Sequence, residues 1–140
     1  MNSINPGQAA LFDLGCNYWP RHTGPRMWRD FDPQAIAGEL ALLRASGLST
    51  VRAFCFWPDF MPTPDRVEPL MLERLTEFMA LCASASVGVF LTPIVGHMSG
   101  ENWPPVWLDD PARLYREESL IQLQERYVAD VARTVAGSPA

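Results

Sequence analysis

Val87-Gly88-Val89-Phe90-Leu91-Thr92-Pro93-Ile94-Val95 is nearly continuous in apolar side chains, many of them β-branched. A run of this kind predicts a strand covered on both faces, as in a parallel sheet. Before it, Pro69 is placed to open a helix, and Leu72, Leu75, Met79 and Cys82 recur three or four positions apart on one face. After it comes an irregular stretch over residues 96–110 with Gly100, Trp103, Pro104, Pro105 and Trp107. A second helix follows, with Leu120, Leu123, Tyr127 and Val131 inward and Gly137 placed to end it.

Towards the N-terminus the same order repeats. Residues 50–57 are rich in β-branched and aromatic side chains and run into a loop with Pro58, Pro62 and Pro64. An earlier run, residues 11–18, leads through a Pro-, Gly- and Arg-rich segment to Asp32-Pro33, an N-cap followed by proline at the first helical position. Ile36, Leu40 and Leu43 mark that helix's apolar face, and Gly47 lies where a left-handed C-cap belongs. Strand starts therefore recur about every 38 residues, with the βα unit itself as the repeat.

Alternation of this kind predicts an α/β fold with parallel strands, read as the first three βα units of a (β/α)8 TIM barrel. Closure of such a barrel takes eight strands and typically about 250 residues. Residues 1–140 are accordingly expected to be the N-terminal portion of a barrel, truncated before strand four. A complete three-stranded α/β sandwich is the other topology that fits. Three parallel strands leave two open edges, which natural domains tend to protect, and those edges predict self-association.

A net charge of −5 with eleven scattered arginines and no lysine provides no basic stripe for nucleic acid. No apolar run approaches the roughly 20 residues of a membrane span, and no signal-peptide pattern opens the chain. A soluble, cytoplasmic protein is expected, or a secreted one if the true start lies upstream. Cys16, Cys55 and Cys82 match neither a disulfide framework nor a zinc pattern, and are expected to be small buried apolar groups.

Ligands of parallel α/β folds gather at the carboxyl ends of the strands. There the sequence places Asn17, Tyr18 and Trp19 after the first strand, Trp57 and Asp59 after the second, and His97, Glu101, Asn102 and Trp103 after the third. All three loops hold a Trp-Pro pair: Trp19-Pro20, Trp57-Pro58 and Trp103-Pro104. Indole faces suit the C–H faces of a sugar ring, although each tryptophan could equally pack its loop onto the sheet. Arg52, inside an apolar run, is expected to pair with a pocket carboxylate. His97 suits a hydrogen bond to substrate. It lacks the companions of a metal ligand, since His22 is the only other histidine. Glycoside hydrolysis usually needs two carboxyl groups flanking the scissile bond. Asp59 and Glu101 are weak candidates, so no catalytic residue is assigned. No phosphate-binding glycine loop, Cys-His pair or GxSxG elbow is present.

Gly15-Cys16-Asn17-Tyr18-Trp19-Pro20 resembles the first strand of clan A glycoside hydrolases, especially family five enzymes of the cellulase and β-mannanase type and related β-galactosidases. Gly47-Leu48-Ser49-Thr50-Val51-Arg52 is similar to the passage into their second strand. Gly96-His97-Met98-Ser99-Gly100-Glu101-Asn102-Trp103 is similar to the loop after their third. The likeness spans nearly all of residues 12–137. It implies a retaining β-glycosidase that needs no cofactor. Arg52 is implied to lie beneath the nucleophile, and His97 and Trp103 to line the sugar site. The family's acid/base glutamate follows an asparagine on strand four, and its nucleophile ends strand seven; this sequence reaches neither. The resemblance thus implies a carbohydrate substrate for the whole barrel and inactivity for these residues alone. A non-catalytic carbohydrate-binding or interaction module and a partial product without independent function are the competing readings.

Overall fold

The computed structural model of the chain describes residues 13–98 and 100–140. The start of the first predicted run, Leu11 and Phe12, and Ser99 of the last loop lie outside the described residues. Each of the three apolar runs supplies one strand: β1 (Gly15–Asn17), β2 (Thr50–Phe54) and β3 (Gly88–Thr92). They form one parallel sheet in the order β1-β2-β3, with Gly15 beside Thr50 and Thr50 beside Gly88. Between and after them run the helices α1 (Pro33–Ala45), α2 (Trp57–Phe60), α3 (Pro69–Ser84) and α4 (Glu118–Val135).

The local signals act as their chemistry requires. The Asp32 carboxylate accepts a hydrogen bond from the Ala35 backbone N–H at 3.0 Å and caps α1, with Pro33 at the first helical position. Gly47 takes φ +88° just beyond that helix, a conformation that costs any other residue a Cβ clash. Gly15 answers a different need. A Cβ there would lie 2.7 Å from the Thr50 carbonyl oxygen, so the close approach of β1 to β2 requires a residue without a side chain.

Strand alternation separates the two faces of the sheet. Val51 and Ala53 are fully buried against α1, α3 and α4, among Ile36, Leu40, Leu75, Phe78, Cys82, Tyr127 and Val131. Leu120, Leu123, Tyr127 and Val131 are the buried residues of α4, the set that its periodicity marks. Cys55 and Cys82 are buried and Cys16 half-buried, all three free; burial pushes the Cys82 thiol up to about 12.

Two expectations change. The third run is not strand throughout: pairing ends at Thr92, because Pro93 has no N–H to offer a ladder. Nor is it covered on both faces. Val89 and Leu91 pack on the helix side, whereas Phe90 points to the other face and is 72% exposed. The second run also ends early, and its last residue, Trp57, begins the short helix α2 rather than a loop. Residues 96–110 contain a small antiparallel hairpin, β4 (His97–Met98) with β5 (Glu101–Asn102), and a 3-10 turn follows at Pro111–Tyr115.

Candidate functional site

The carboxyl ends of the three strands converge on an aromatic cluster separate from the main core, built around Phe54, Phe56 and Val95 with Trp19, Met98 and Trp103 packed on it. Trp19, leaving β1, stacks on Phe54 (centroids 4.9 Å apart, planes 20°) and on Phe56 (5.0 Å, 6°). Phe56 in turn meets Trp103 from the third loop at 4.4 Å and 35°. Rings from all three strand exits are thereby joined in one row, and offset contacts of this kind contribute about 0.5–1.5 kcal/mol each beyond their burial. Phe54 and Phe56 are absent from the sequence-based candidates. The signal was available: positions 52, 54 and 56 share a face by simple alternation.

Beneath this row, the Arg52 guanidinium lies 5.0 Å from the Phe54 ring centroid, and its Nε donates to Thr92 Oγ1 at 2.8 Å. Asn17 sits beside Arg52 in the strand register. The expected carboxylate partner of Arg52 is not found among the described residues. The side chain is exposed on the open face of the sheet, so water solvates the charge and no buried counter-ion is required.

Tyr18 does not join the cluster. It follows Asn17 by one position and so turns to the helix side, where its hydroxyl donates to Glu39 Oε2 at 2.9 Å and its ring stacks on Phe78. Burial, then the Glu39 carboxylate, raise its phenol well above the ordinary range. Trp57 also serves the core, 1% exposed and stacked on Tyr127 at 5.6 Å. Its edge reaches a cleft of about 320 Å³ whose lining includes Gly96, His97, Asn102, Trp103 and Tyr115. In that wall His97 Nδ1 and Asn102 Oδ1 are 2.8 Å apart, and Trp103 Nε1 donates to the Met98 carbonyl at 3.2 Å.

The loop carboxylates are placed differently from each other. Asp59 accepts from Arg29 Nε at 2.5 Å and has a side chain only 5% exposed. Burial raises its carboxyl above the ordinary value, and Arg29 offsets only part of that rise. Glu101 is exposed on β5. Among the described residues no group of three His, Cys, Asp or Glu side chains lies close enough to hold a metal ion, and no helix is long and apolar enough to cross a membrane.

The segment carrying Phe54 and Phe56 is anchored from three sides. Trp28 Nε1 donates to the Phe54 carbonyl (2.7 Å), the Tyr127 hydroxyl to the Cys55 carbonyl (3.0 Å), and Trp107 Nε1 to the Met61 carbonyl (3.0 Å).

The parallel βα arrangement has counterparts among solved structures. The exo-β-1,4-mannosidase Op5Man5 from Opitutaceae bacterium strain TAV5 is 31% identical with a TM-score of 0.83, over 88% of this chain and 22% of its own. A GH5_18 protein from Streptomyces cattleya, solved in complex with GlcNAc, is 26% identical at TM-score 0.86, over 91% of this chain and 31% of its own. A GH5_18 protein from Bifidobacterium longum subsp. infantis, at 22% identity and TM-score 0.85, shares the fold. No family model and no curated protein matches the chain. The chain is a relative of the family-five glycoside hydrolases and has the fold of three βα units of their barrel. It spans 22–31% of the length of these structures.

Proposed function

We propose that residues 1–140 form the first three βα units of a family-five-type barrel that hydrolyses β-linked glycosides with retention, and that they hold one wall of its sugar site. The observation that carries this reading is the row Trp19–Phe56–Trp103 at the carboxyl ends of the strands, with Arg52 against the neighbouring ring of Phe54. The half-buried indoles of Trp19 and Trp103 can meet the C–H faces of a sugar while Asn17, Arg52, His97 and Asn102 bond its hydroxyls or orient neighbouring groups. Tyr18 and Trp57 support this wall from behind. A β-mannosidic linkage is the favoured substrate class, because a relative at 31% identity is an exo-β-1,4-mannosidase and a Streptomyces cattleya GH5_18 variant was solved with Manβ1-4GlcNAc.

Retention requires two carboxyl groups about 5–5.5 Å apart, one forming a glycosyl ester and the other passing a proton to the leaving oxygen and then taking one from water. Asp59 is already engaged by Arg29 and Glu101 stands on an exposed hairpin, so both carboxylates are assigned to βα units outside these residues. The chain alone is therefore inactive in this reading. The test is hydrolysis of aryl β-glycosides, β-mannosides included, by this chain and by a version extended through downstream coding sequence. Turnover by the extended form alone supports the proposal; turnover by the short chain, lost on Asp59→Asn or Glu101→Gln, overturns it. The aromatic row, already assembled within these residues, also favours a second reading as a sugar-binding module. That reading predicts binding without turnover in both forms.

A further inference from the structure

The hairpin β4–β5 places His97 directly opposite Asn102. The next backbone bond, from Trp103 N to the Gly96 carbonyl at 3.0 Å, makes this a non-hydrogen-bonded pair, the position at which facing side chains come closest. Their side chains use that proximity: Nδ1 of His97 and Oδ1 of Asn102 are 2.8 Å apart. With the Asn102 amide oxygen facing the ring, which only accepts, Nδ1 is the donor, and in the neutral ring Nε2 is then left as an acceptor. Trp103 closes the same hairpin through its indole bond to Met98. The ring that borders the cleft is thus held by a cross-strand partner rather than by the core.

We infer that Asn102 is a positioning residue that fixes His97 in the Nδ1–H tautomer, so that Nε2 offers a lone pair and selects a ligand group that donates, such as a sugar hydroxyl. This rests on the reading of the cleft as part of the sugar site. It reassigns Asn102 from a direct sugar contact to a group acting through His97. Neutral histidine in water favours the opposite tautomer, Nε2–H, which presents a donor instead.

The test needs no turnover. In the nitrogen-15-labelled chain carrying His22→Gln, so that one imidazole remains, long-range proton–nitrogen spectra are recorded at alkaline pH. The expected result is a protonated, pyrrole-type Nδ1 and a pyridine-type Nε2. Asn102→Ala should lower the ratio of Nδ1–H to Nε2–H by about fivefold, the equivalent of one ordinary hydrogen bond. Asn102→Asp keeps an acceptor oxygen at the same reach and should restore the original tautomer, which a loss of hairpin structure would not allow. An Nε2–H tautomer in the parent chain, or no change in Asn102→Ala, overturns the inference. Titrating the extended protein with a β-mannoside separates the two readings. A shift confined to Nε2 supports both; a silent Nε2 with the tautomer intact refutes the sugar contact while upholding the role of Asn102.

Discussion

The indole of Trp19 lies parallel to the ring of Phe56, at 5.0 Å and within 6°, and Phe56 passes the contact on to Trp103. Phe56 is 1% exposed and belongs to the strand-end cluster rather than to the main core. One buried ring therefore sets the position of two half-buried indoles that come from different loops.

Removing that ring should release both. Phe56→Ala is expected to cost about 3–5 kcal/mol, in the range of large-to-small aromatic truncations. Phe56→Leu, which refills much of the space, should cost clearly less. Urea unfolding provides the stability, and the accompanying change in tryptophan emission tests the shared dependence: emission unchanged in Phe56→Ala would show that Trp19 and Trp103 are held independently.

Gly15 and Gly38 should respond in opposite directions to the same change. Gly15→Ala drives a Cβ to within 2.7 Å of a backbone oxygen and should part β1 from β2, at a cost of about 1–3 kcal/mol. Gly38, inside α1, faces open space, with no neighbouring atom within 4 Å of where a Cβ would stand, so Gly38→Ala should stabilise by up to about 1 kcal/mol. Thermal unfolding of the two variants decides both.

Tyr127→Phe deletes only the hydroxyl that donates to the Cys55 carbonyl while preserving the stack on Trp57. The carbonyl left without its donor should cost about 1–3 kcal/mol with the fold retained. Equal midpoints for the parent and the variant would show that this bond contributes nothing net.

Asp59 has a distinct pH signature. Burial raises its folded-state pKa above the ordinary 3.8, so between those two values the native chain binds more protons than the unfolded one. Its contribution to stability therefore falls as pH rises through that window and is level above it. Asp109 and Glu117, lowered chiefly by hydrogen bonds from Arg113, slope the other way and lose their contribution as pH falls. The parent-minus-Asp59→Asn difference isolates the first effect: relative to the variant, the parent should lose stability on going from about pH 4 upward. A difference that does not vary with pH would rule out the raised carboxyl.

The helices were legible because their signals are local. Asp32-Pro33, Gly47 and the spacing of Leu120, Leu123, Tyr127 and Val131 fix caps and faces without reference to anything distant. Strand extents were less so: Pro93 truncates β3, and the exposure of Phe90 depends on what lies across the sheet, which no run of residues encodes. Trp19, His97, Asn102 and Trp103 lie in the loops that leave the strands, and Arg52 lies inside β2, where the sequence puts them. Tyr18 and Trp57 serve the core instead, since one step along a strand reverses a side chain and a Trp-Pro pair is equally able to begin a buried helical turn. Phe54 and Phe56 are not legible as site residues by type, because apolar side chains in a strand carry the same signal as core.

The three anchors on the exit of β2 bear on how that part of the molecule moves. Trp28, Tyr127 and Trp107 come from three separate segments and each grips a carbonyl between Phe54 and Met61, while the amides of Cys55, Phe60 and Met61 bond to Thr92, Phe56 and Trp57. Freeing the Cys55 carbonyl requires Tyr127 of α4 to leave it, so opening of this stretch is coupled to α4. Amide exchange there should be governed by whole-molecule unfolding, placing a strand exit, ordinarily among the more labile parts of a protein, in the slowest-exchanging class.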